Sequence, residues 1–342
     1  MKTILITGGA GFLGSILKKE LLNKKYQVVS IDLQKDDFDH PNFTAVIGDI
    51  INPKALAKLS QKYTFSAIFH FAAMMPHAVK KRQDFWRTNV DGTKNIADFA
   101  KKYHIPRLIF ASTNCLWGKA TKQAIKEDDP LCPQEIYGKS KMAAETILRK
   151  YEKDLKIIIF RCPPIIDESR IGIIGIMFEF VRENRKLWMV GKGHNRYQLV
   201  YAGDVTEAML SALTYPQSNI FNIGSDSVPT FREMYTFIIQ ESHSKSRLAS
   251  FPPYIIHPIM RLAATLRISP LSPYAENMLD KNVSLDTTRA KQELNWQPTL
   301  NNSEMLLKAY TYFTTHRKEL TEGTTNKDLA KMGLIKILKI LS

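Results

Sequence analysis

The stretch Thr7-Gly-Gly-Ala-Gly-Phe-Leu-Gly14 follows a short apolar run and opens a helical pattern, and it decides the fold. Its spacing satisfies G-x-G-x-x-G when Gly9, Gly11 and Gly14 are counted, and the related G-x-x-G-x-x-G when Gly8 replaces Gly9. Glycines allow a tight turn, so the backbone can approach a pyrophosphate whose charge faces free N–H groups at the helix start. The stretch therefore predicts a strand, a turn and a helix that together bind a dinucleotide.

Residues 1–162 alternate between strand-like apolar runs and helical patterns. The strand-like runs are Thr3–Thr7, Gln27–Asp32, Thr44–Gly48, Ala67–Ala72, Arg107–Ser112 and Lys156–Arg161. The helical stretches between them include Phe12–Asn23, Asp84–Tyr103 and Ile136–Lys153. Because near-continuous apolar strands that alternate with helices are typically covered on both faces, this pattern predicts an α/β, doubly wound parallel sheet of the Rossmann type. Its ligand crevice is expected at the carboxyl ends of the strands.

The pattern loosens after Arg161, which divides the chain. Residues 1–162 are predicted to form the dinucleotide-binding domain, and residues 163–317 a smaller, mostly helical substrate lobe. Strands from about 196–223 are expected to return to the sheet. They are Tyr197–Tyr201 and Ile220–Ile223, with the helix Asp204–Leu213 between them. The apolar segment Phe251–Ala264 is interpreted as lobe core, with a place at the substrate mouth as the alternative.

Residues 318–342 are interpreted as a linker followed by a basic amphipathic tail helix, Asp328–Leu341. This helix is too short to cross a bilayer, but it suits a position in the membrane interface. Packing on its own or a partner subunit is an equal alternative. We therefore expect a cytoplasmic protein, with peripheral contact on the inner face of the membrane as one outcome.

Bulk composition restricts the class of protein. The 342 residues carry a formal net charge of +15. The lysines are spread over most helices, which favours a solvated basic surface, with phosphate-bearing substrates or an anionic membrane surface as the alternative. The sequence contains neither a zinc-ligand spacing nor a nucleic-acid-binding motif, so we expect no metal and no nucleic-acid partner. Three cysteines and an N-terminus that enters a strand at once indicate a reducing cytosol rather than export.

The acidic residue that ends the second strand selects the cofactor. Asp32 lies 18 residues after Gly14, where a carboxylate can accept hydrogen bonds from a ribose 2′-hydroxyl. The same carboxylate repels a 2′-phosphate, so NAD is favoured over NADP. Asp49 and the pair Ala72-Ala73 follow further strands and are expected to border the cofactor.

A second motif carries the chemistry. Tyr137 and Lys141 are one helical turn apart, and Thr113 follows the strand Arg107–Ser112 at the predicted crevice. A free tyrosine has a pKa near 10, so a neighbouring cation is needed to make it a base near neutral pH. Together with the glycine turn, these three residues predict hydride chemistry on an alcohol or ketone.

With these motifs in order, the sequence resembles the extended short-chain dehydrogenase/reductase superfamily, in its NAD-dependent epimerase/dehydratase group, over roughly residues 2 to 316. Further segments that carry the resemblance are Phe71-Ala-Ala73, Ser112-Thr-Asn-Cys-Leu-Trp-Gly118, Arg161-Cys-Pro163, Val200-Tyr-Ala-Gly-Asp204, Phe221-Asn-Ile-Gly224 and Leu294-Asn-Trp-Gln-Pro298. The resemblance implies that Tyr137 is the general acid/base, that Lys141 lowers its pKa and holds the nicotinamide ribose, and that Thr113 orients the reacting oxygen. It also implies a homodimer.

Motif and resemblance together define the expected cofactor contacts. These are Gly8, Gly11, Phe12, Leu13, Gly14, Asp32, Asp49, Ile50, Ala72, Ala73, Asn89, Ser112, Tyr137, Lys141 and Pro163. The expected substrate contacts are Asn114, Cys115, Arg196 and Arg232.

Departures from the family pattern narrow the reaction. Dehydratases of the family carry Asp-Glu directly after the catalytic threonine, whereas this chain has Asn114-Cys115, so dehydration is not expected. A cysteine there resembles GDP-fucose synthases, but their partner histidine is missing, and Cys115 is interpreted as a half-buried crevice residue. The family's phosphate-binding arginine is displaced by one position to Arg196, and Tyr197 stands in its place. Because neighbouring side chains in a strand point to opposite faces, Arg196 is expected to point away from the position that the family's arginine occupies.

Three functions remain open on the sequence. The preferred one is an NAD-dependent epimerase of a nucleotide-linked or lipid-linked sugar, which oxidises the sugar transiently to a ketone and takes the hydride back from bound NADH. The second is an NAD-dependent dehydrogenase or reductase of a hydrophobic alcohol or ketone, resembling 3β-hydroxysteroid dehydrogenases, which Ile165, Ile166 and the apolar segment 251–264 favour. The third is a binding scaffold without catalysis.

Overall fold

The computed structural model describes residues 1–75, 82–118, 123–168, 174–265 and 278–317. The strands are β1 Thr3–Thr7, β2 Gln27–Asp32, β3 Phe43–Ile47, β4 Phe65–His70, β5 Arg107–Thr113, β6 Lys156–Cys162, β7 Ile165–Ile166, β8 Leu187–Val190, β9 Val200–Tyr201, β10 Asn219–Asn222 and β11 Leu248–Phe251. The helices are α1 Phe12–Asn23, α2 Pro53–Ser60, α3 Arg82–Trp86, α4 Gly92–Lys102, α5 Ile136–Arg149, α6 Ile174–Arg182, α7 Ala202–Ser211, α8 Phe231–Glu241, α9 Pro253–Thr265, α10 Thr288–Leu294 and α11 Asn302–Thr315.

The core of the described chain is a parallel sheet in the order β10-β6-β5-β4-β1-β2-β3. The order runs outward in opposite directions from β1 and β4, which makes the gap between their carboxyl ends the topological switch point. Thr7 at the end of β1 pairs with Ile31 of β2 and with His70 of β4, so these three strand ends border one crevice. The predicted α/β doubly wound fold is confirmed.

Both faces of the sheet are covered, which explains why its strands are apolar throughout. On one face, Ile4 and Ile6 join a core that contains Leu17 of α1 and Val205 of α7. On the other face, Leu5 packs with residues of α2, α4 and α5. All five residues of β1 are buried, as expected of a strand between two helical layers.

Two strands behave differently after β6, although both were expected to return to the sheet. Asn219–Asn222 does so, pairing in parallel with β6. Val200–Tyr201 instead pairs with Ile165–Ile166 in a separate two-stranded sheet. The reason is local: the edge of β6 is already occupied by β10, and Pro163-Pro164 ends β6 and turns the chain, so that Val200 N donates to Pro164 O at 3.1 Å.

The lobe has its own core. Phe178 of α6, Met234 and Ile238 of α8, and Phe313 of α11 are buried together. It is joined to the sheet domain through residues 296–300. Trp296 is buried in the sheet core, Thr299 donates to the Asp204 carboxylate at 2.7 Å, and Leu300 packs on the lobe core. The predicted tail helix Asp328–Leu341 lies outside the described residues.

The prediction that the apolar segment Phe251–Ala264 forms lobe core is corrected by the structure. Within α9, Tyr254, Ile255, Ile259 and Leu262 are exposed, while Ile256 is half-buried. Apolar residues occur on nearly every side of this helix, so some of them remain outward whichever side packs on the lobe.

Candidate functional site

The glycine turn has the conformation that its sequence requires. Gly8 has φ +76°, a region that side chains disfavour, and a Cβ there would lie 2.7 Å from the backbone nitrogen of Ala72. A Cβ on Gly14 would lie 2.3 Å from the carbonyl oxygen of Gly8. The turn is therefore packed against the loop after β4 on one side and against the first turn of α1 on the other.

Asp32 holds this turn from the neighbouring strand. One carboxylate oxygen accepts from the backbone N–H of Ala10 at 3.0 Å, and the other accepts from the N–H of Gln34 at 3.0 Å. Each carboxylate oxygen has a second lone pair, so further acceptor capacity remains for ribose hydroxyls. Asp32 thus both fixes the turn and presents the negative charge that the sequence analysis assigned to it.

A cavity of about 220 Å³ lies where these elements meet. Its lining residues are Gly8, Gly11, Ile31, Asp32, Leu33, Gln34, Gly48, Asp49, Ile50, Phe71, Ala72, Ala73, Met74 and Thr88. The predicted residues at the ends of β1, β2, β3 and β4 are therefore brought together. Seven of the lining residues were not among the predicted cofactor contacts, although each lies one or two positions from a predicted residue; they are Ile31, Leu33, Gln34, Gly48, Phe71, Met74 and Thr88.

Other predicted cofactor residues lie around this cavity with roles of their own. The Leu13 side chain is buried in the sheet core, and Gly14 allows α1 to pack against the turn. Pro163 is buried directly after β6, where Cys162 pairs with Thr113. The Ser112 side chain donates to Glu145 at 2.5 Å and is therefore committed to a buried network.

Asn89 links the loop after β4 to the helix that carries Tyr137. Its amide oxygen accepts from Met74 N–H at 2.8 Å, and its amide nitrogen donates to Met74 O at 3.1 Å and to Ser140 Oγ at 3.2 Å. Ser140 in turn donates to the carbonyl of Tyr137 at 2.8 Å. Asn89 lies in a π-helical turn, Arg87–Asp91, that interrupts the helix predicted over Asp84–Tyr103. Such turns are frequent at functional sites.

His70, which the sequence analysis passed over, connects the same loop to the glycine turn. Its Nδ1 lies 2.6 Å from Thr7 Oγ1, and its Nε2 lies 2.9 Å from Thr93 Oγ1. Thr93 already donates to Asn89 O, so it accepts from Nε2–H, and Nδ1 is left to accept from Thr7. Thr7 Oγ1 also accepts from Ala72 N–H at 3.2 Å. The neutral Nε2–H tautomer therefore satisfies every partner in this chain of hydrogen bonds.

The electrostatic surroundings keep His70 neutral. Burial, together with the smaller effect of the nearby Lys141 cation, lowers the pKa of His70 to about 3. The unfolded chain binds a proton on this residue below about pH 6.5, whereas the folded chain does not until about pH 3. His70 therefore contributes stability above pH 6.5 that is lost progressively as the pH falls towards 3.

We expect this loss to be measurable between about pH 7.5 and about pH 5.5, where protonation of an unfolded histidine removes about 1.4 kcal/mol from the free energy of unfolding. The comparison is between wild type and His70→Asn by denaturant unfolding at both pH values. The variant is less stable at each pH, but its pH dependence is smaller by that amount. His104→Asn is the matched control, because His104 is exposed in a left-handed conformation that asparagine tolerates. An unchanged pH dependence in His70→Asn would contradict the assignment of a neutral folded-state His70.

Lys141 is buried at the base of the predicted catalytic set. Its Nζ donates to Ala111 O of β5 at 2.8 Å and lies 4.3 Å from the centroid of the Phe110 ring. Burial lowers the pKa of Lys141 to about 8, while Cys162 and Glu145 act in the opposite direction. The ammonium remains mostly protonated at neutral pH and has two N–H groups beyond the one that binds Ala111.

The first turn of α5 lies directly against the segment that follows β5. Glu135 caps the helix by accepting from Tyr137 N–H at 2.7 Å and from Gly138 N–H at 2.6 Å. A Cβ on Gly138 would lie 2.2 Å from the carbonyl oxygen of Cys115, so only glycine allows this approach. Thr113 is two residues before Cys115 and accepts from its N–H at 3.2 Å. Tyr137 therefore lies on the turn that packs against the Thr113–Cys115 segment, as its predicted role requires.

The predicted substrate residues fall into two groups. Asn114 donates to the hydroxyl of Tyr197 at 3.4 Å, and Cys115 packs with Tyr197, Met278 and Val283. Burial raises the pKa of the Cys115 thiol to about 12, so it is a neutral group.

The two arginines are directed elsewhere. Arg196 donates to the carbonyl of Val228 and lies 3.7 Å from Glu233, and Arg232 donates to the carbonyl of Lys192 at 3.0 Å. Tyr197 thus faces the Thr113 segment while Arg196 faces α8, in line with the expected reversal of direction.

The chain matches a known family model, and it is similar to several known proteins in sequence and in fold. A family model described as "NAD dependent epimerase/dehydratase family" matches residues 4–224. The uncharacterized protein y4nG of Sinorhizobium fredii is 30% identical over 342 residues, which cover 99% of this chain and 86% of that protein. A putative UDP-glucose 4-epimerase of Methanocaldococcus jannaschii is 29% identical over 259 residues, 70% of this chain and 82% of the relative. The dTDP-glucose 4,6-dehydratase of Bacillus anthracis, solved in complex with NAD, is similar in fold, with TM-score 0.74, 24% identity and coverage of 93% of this chain and 98% of its own.

Proposed function

This chain belongs to the NAD dependent epimerase/dehydratase family, with NAD as its cofactor, and from that premise we propose that it is an epimerase of a nucleotide-linked or lipid-linked sugar. Its relatives include enzymes named as epimerases, dehydratases and a decarboxylase, so family membership leaves the net reaction open. We therefore base the proposal of epimerisation on the side chains around Thr113 and Tyr137.

The cavity beside the glycine turn suits NAD. Gly8 and Gly11 leave the backbone accessible to a pyrophosphate, Asp32 offers its remaining lone pairs to ribose hydroxyls, and Ala72 and Ala73 are small walls. NAD bound there would supply a hydride acceptor for the oxidation of the sugar and a hydride donor for the return step. Asp32 would hold the adenosine end, and Lys141 the nicotinamide ribose.

Tyr137 acts as the acid/base in this proposal. Its phenol oxygen removes the proton of the sugar hydroxyl as the ketone forms, and gives it back when the hydroxyl is restored on the opposite face. The ammonium of Lys141, one helical turn away and bound to Ala111 O, favours the phenolate electrostatically. Thr113 Oγ1 accepts from the N–H of Cys115, which leaves its own proton to donate to the reacting oxygen.

The observation that carries the proposal is the neutral character of the positions after Thr113. Asn114 has no ionisable group, and burial raises the pKa of the Cys115 thiol to about 12. Removal of water next to a ketone needs a base for the neighbouring C–H and an acid for the leaving hydroxyl. Because epimerisation needs neither, Thr113, Tyr137 and Lys141 are sufficient for it.

The test uses the purified protein with UDP-hexoses, UDP-hexuronic acids and lipid-diphosphate sugars, each deuterated at the carbinol carbon. We expect one of them to yield a stereoisomer of unchanged mass that retains its deuterium, because the hydride returns to the same carbon. Loss of the mass of water would indicate a dehydratase, and loss of carbon dioxide a decarboxylase. Either of these products, without any stereoisomer, would disprove the proposal.

A net dehydrogenase or reductase of a hydrophobic alcohol or ketone is the second candidate. The apolar outer side of α9 favours it. Ile166 supports it less than the sequence suggested, because its side chain is buried in the lobe core. Accumulation of NADH in proportion to substrate would distinguish this reaction from epimerisation, in which no NADH accumulates.

A further inference from the structure

Helix α9 has an unusual distribution of apolar side chains. In most surface helices the outward side is polar. Here Tyr254 is 78% exposed, Leu262 61%, Ile259 48% and Ile255 46%. Among the described residues, α9 therefore carries the main group of exposed large apolar side chains.

The exposed residues form one continuous arc. At 100° per residue, the outward side of α9 presents Tyr254, Pro258, Leu262, Ile255 and Ile259 in that angular order, over about 140°. All five are exposed, and Arg261 lies next to Tyr254 at the edge of this arc. The opposite side packs on the lobe: Ile256 and Met260 are half-buried, and His257 Nε2 contacts Asp280 at 3.1 Å. We call the five outward residues the α9 apolar arc.

Basic side chains lie beside the start of this helix. The backbone N–H of Gly191 donates to Phe251 O at 2.8 Å, which places the loop 191–193 next to Pro253. Lys192 in this loop is exposed, and its carbonyl accepts from the exposed Arg232. The Phe251 ring stacks on Trp188 at 4.2 Å, which fixes the entry of α9 to the β8–β11 sheet.

We propose that the α9 apolar arc is an interfacial membrane anchor that docks the lobe on an anionic lipid bilayer. The side chains of Ile255, Ile259 and Leu262 would enter the boundary between headgroups and acyl chains, with Tyr254 at its polar edge. Lys192 and Arg232 would contact anionic headgroups. The inference is independent of the proposed sugar chemistry.

Charge and shape favour a bilayer over a protein partner. The chain carries a net charge of +15, which attracts it to an anionic surface. An exposed apolar helix side with basic residues near the start of the helix matches an interfacial helix, whereas a protein interface of ordinary size requires a larger complementary patch. Among the described residues no helix is both long and apolar enough to cross a membrane, so α9 would lie in the interface.

The experiment measures co-sedimentation of the full-length protein with vesicles of phosphatidylcholine alone and with about a third phosphatidylserine. We expect binding to the anionic vesicles, and a loss of at least about 30-fold in partition coefficient for the triple variant Ile255→Ser, Ile259→Ser, Leu262→Ser, because about 1 kcal/mol is lost per half-inserted side chain. Lys192→Gln with Arg232→Gln lowers binding to anionic vesicles by about 10- to 30-fold, at about 1 kcal/mol per cation.

Ile47→Ser is the matched control, because Ile47 is an apolar residue that is 67% exposed at the end of the edge strand β3 of the main sheet. This substitution is expected to leave vesicle binding unchanged. Circular dichroism and thermal melting confirm that the variants are folded. The proposal is overturned if wild type does not bind anionic vesicles, or if the triple variant binds as wild type does. It is also overturned if the triple substitution turns a dimer into a monomer without changing vesicle binding, since a second copy would then cover the arc.

Discussion

Replacing Tyr137 with phenylalanine lowers the turnover number by about 10²- to 10⁴-fold, because the variant lacks the group that exchanges a proton with the substrate hydroxyl. The phenylalanine ring retains the edge contact with Phe85, whose centroid is 6.3 Å from that of Tyr137. The cap at Glu135 uses backbone N–H groups and is also retained. Affinity for NAD is therefore expected to stay within a few-fold of wild type.

The measurement is the rate of product formation with saturating substrate, together with NAD affinity from quenching of protein fluorescence. Tyr63→Phe is the control, since the Tyr63 hydroxyl donates a long 3.4 Å hydrogen bond to Thr44 near the opposite edge of the sheet. Its activity should match wild type. If Tyr137→Phe retained more than a tenth of wild-type turnover, Tyr137 would not be the acid/base.

Replacing Arg161 with methionine lowers the free energy of unfolding by about 3–5 kcal/mol, because it leaves a carboxylate buried without its partner. Arg161 Nη2 lies 2.7 Å from Glu145 Oε2, and its Nη1 donates to Glu127 O at 2.7 Å. The Arg161 and Glu145 side chains are only 4% and 3% exposed. The guanidinium also lies 5.1 Å from the Trp117 ring.

Urea denaturation at neutral pH measures this effect, with Lys94→Ala as the control. Lys94 forms an i,i+4 pair with Asp98 in which both side chains are about half exposed, and its loss costs about 0.5 kcal/mol or less. Glu145→Gln with Arg161→Met restores part of the stability, since the buried charge is then removed as well. If Arg161→Met alone lowered the free energy of unfolding by less than about 1 kcal/mol, the Arg161–Glu145 pair would be accessible to solvent and this prediction would be wrong.

The position of Glu145 ties this buried pair to the site. Tyr137, Lys141 and Glu145 are spaced by four residues on α5, so they share the side that faces β5 and β6. Glu145 also accepts from Ser112, the residue before Thr113. One side of α5 therefore binds the end of β5 through Glu145 and also bears Tyr137 near that strand end. This spacing was visible in the sequence, but Glu145 was not selected there.

Much of the sheet domain could be predicted from the sequence because its signals are local. The glycine stretch predicted a tight turn, and the bounds of β1, β2 and α1 agree with the predicted runs. β4 ends at His70 rather than Ala72, because the chain leaves the sheet there to pass over Gly8. The backbone nitrogen of Ala72 would lie 2.7 Å from a Cβ on Gly8. Local patterns report burial well, but they do not report where a strand stops pairing.

Other features depended on contacts between distant segments. The hydrogen bonds of His70 join residues 63 and 23 positions away in the chain, and the pairing of Val200–Tyr201 was decided by which sheet edge was still open. The exposure of the α9 apolar arc likewise followed from which side of an apolar helix the lobe could cover.

By itself, then, the sequence determined the alternating strands and helices, the glycine turn, Asp32 and the order of Thr113, Tyr137 and Lys141, since each follows from residue type and short spacing. Only the tertiary structure decided the neutral state of His70, the pairing of Val200–Tyr201 with Ile165–Ile166, and the outward side of α9. The physical reason is that protonation, side-chain direction and exposure depend on which groups from elsewhere in the chain displace water from a given atom.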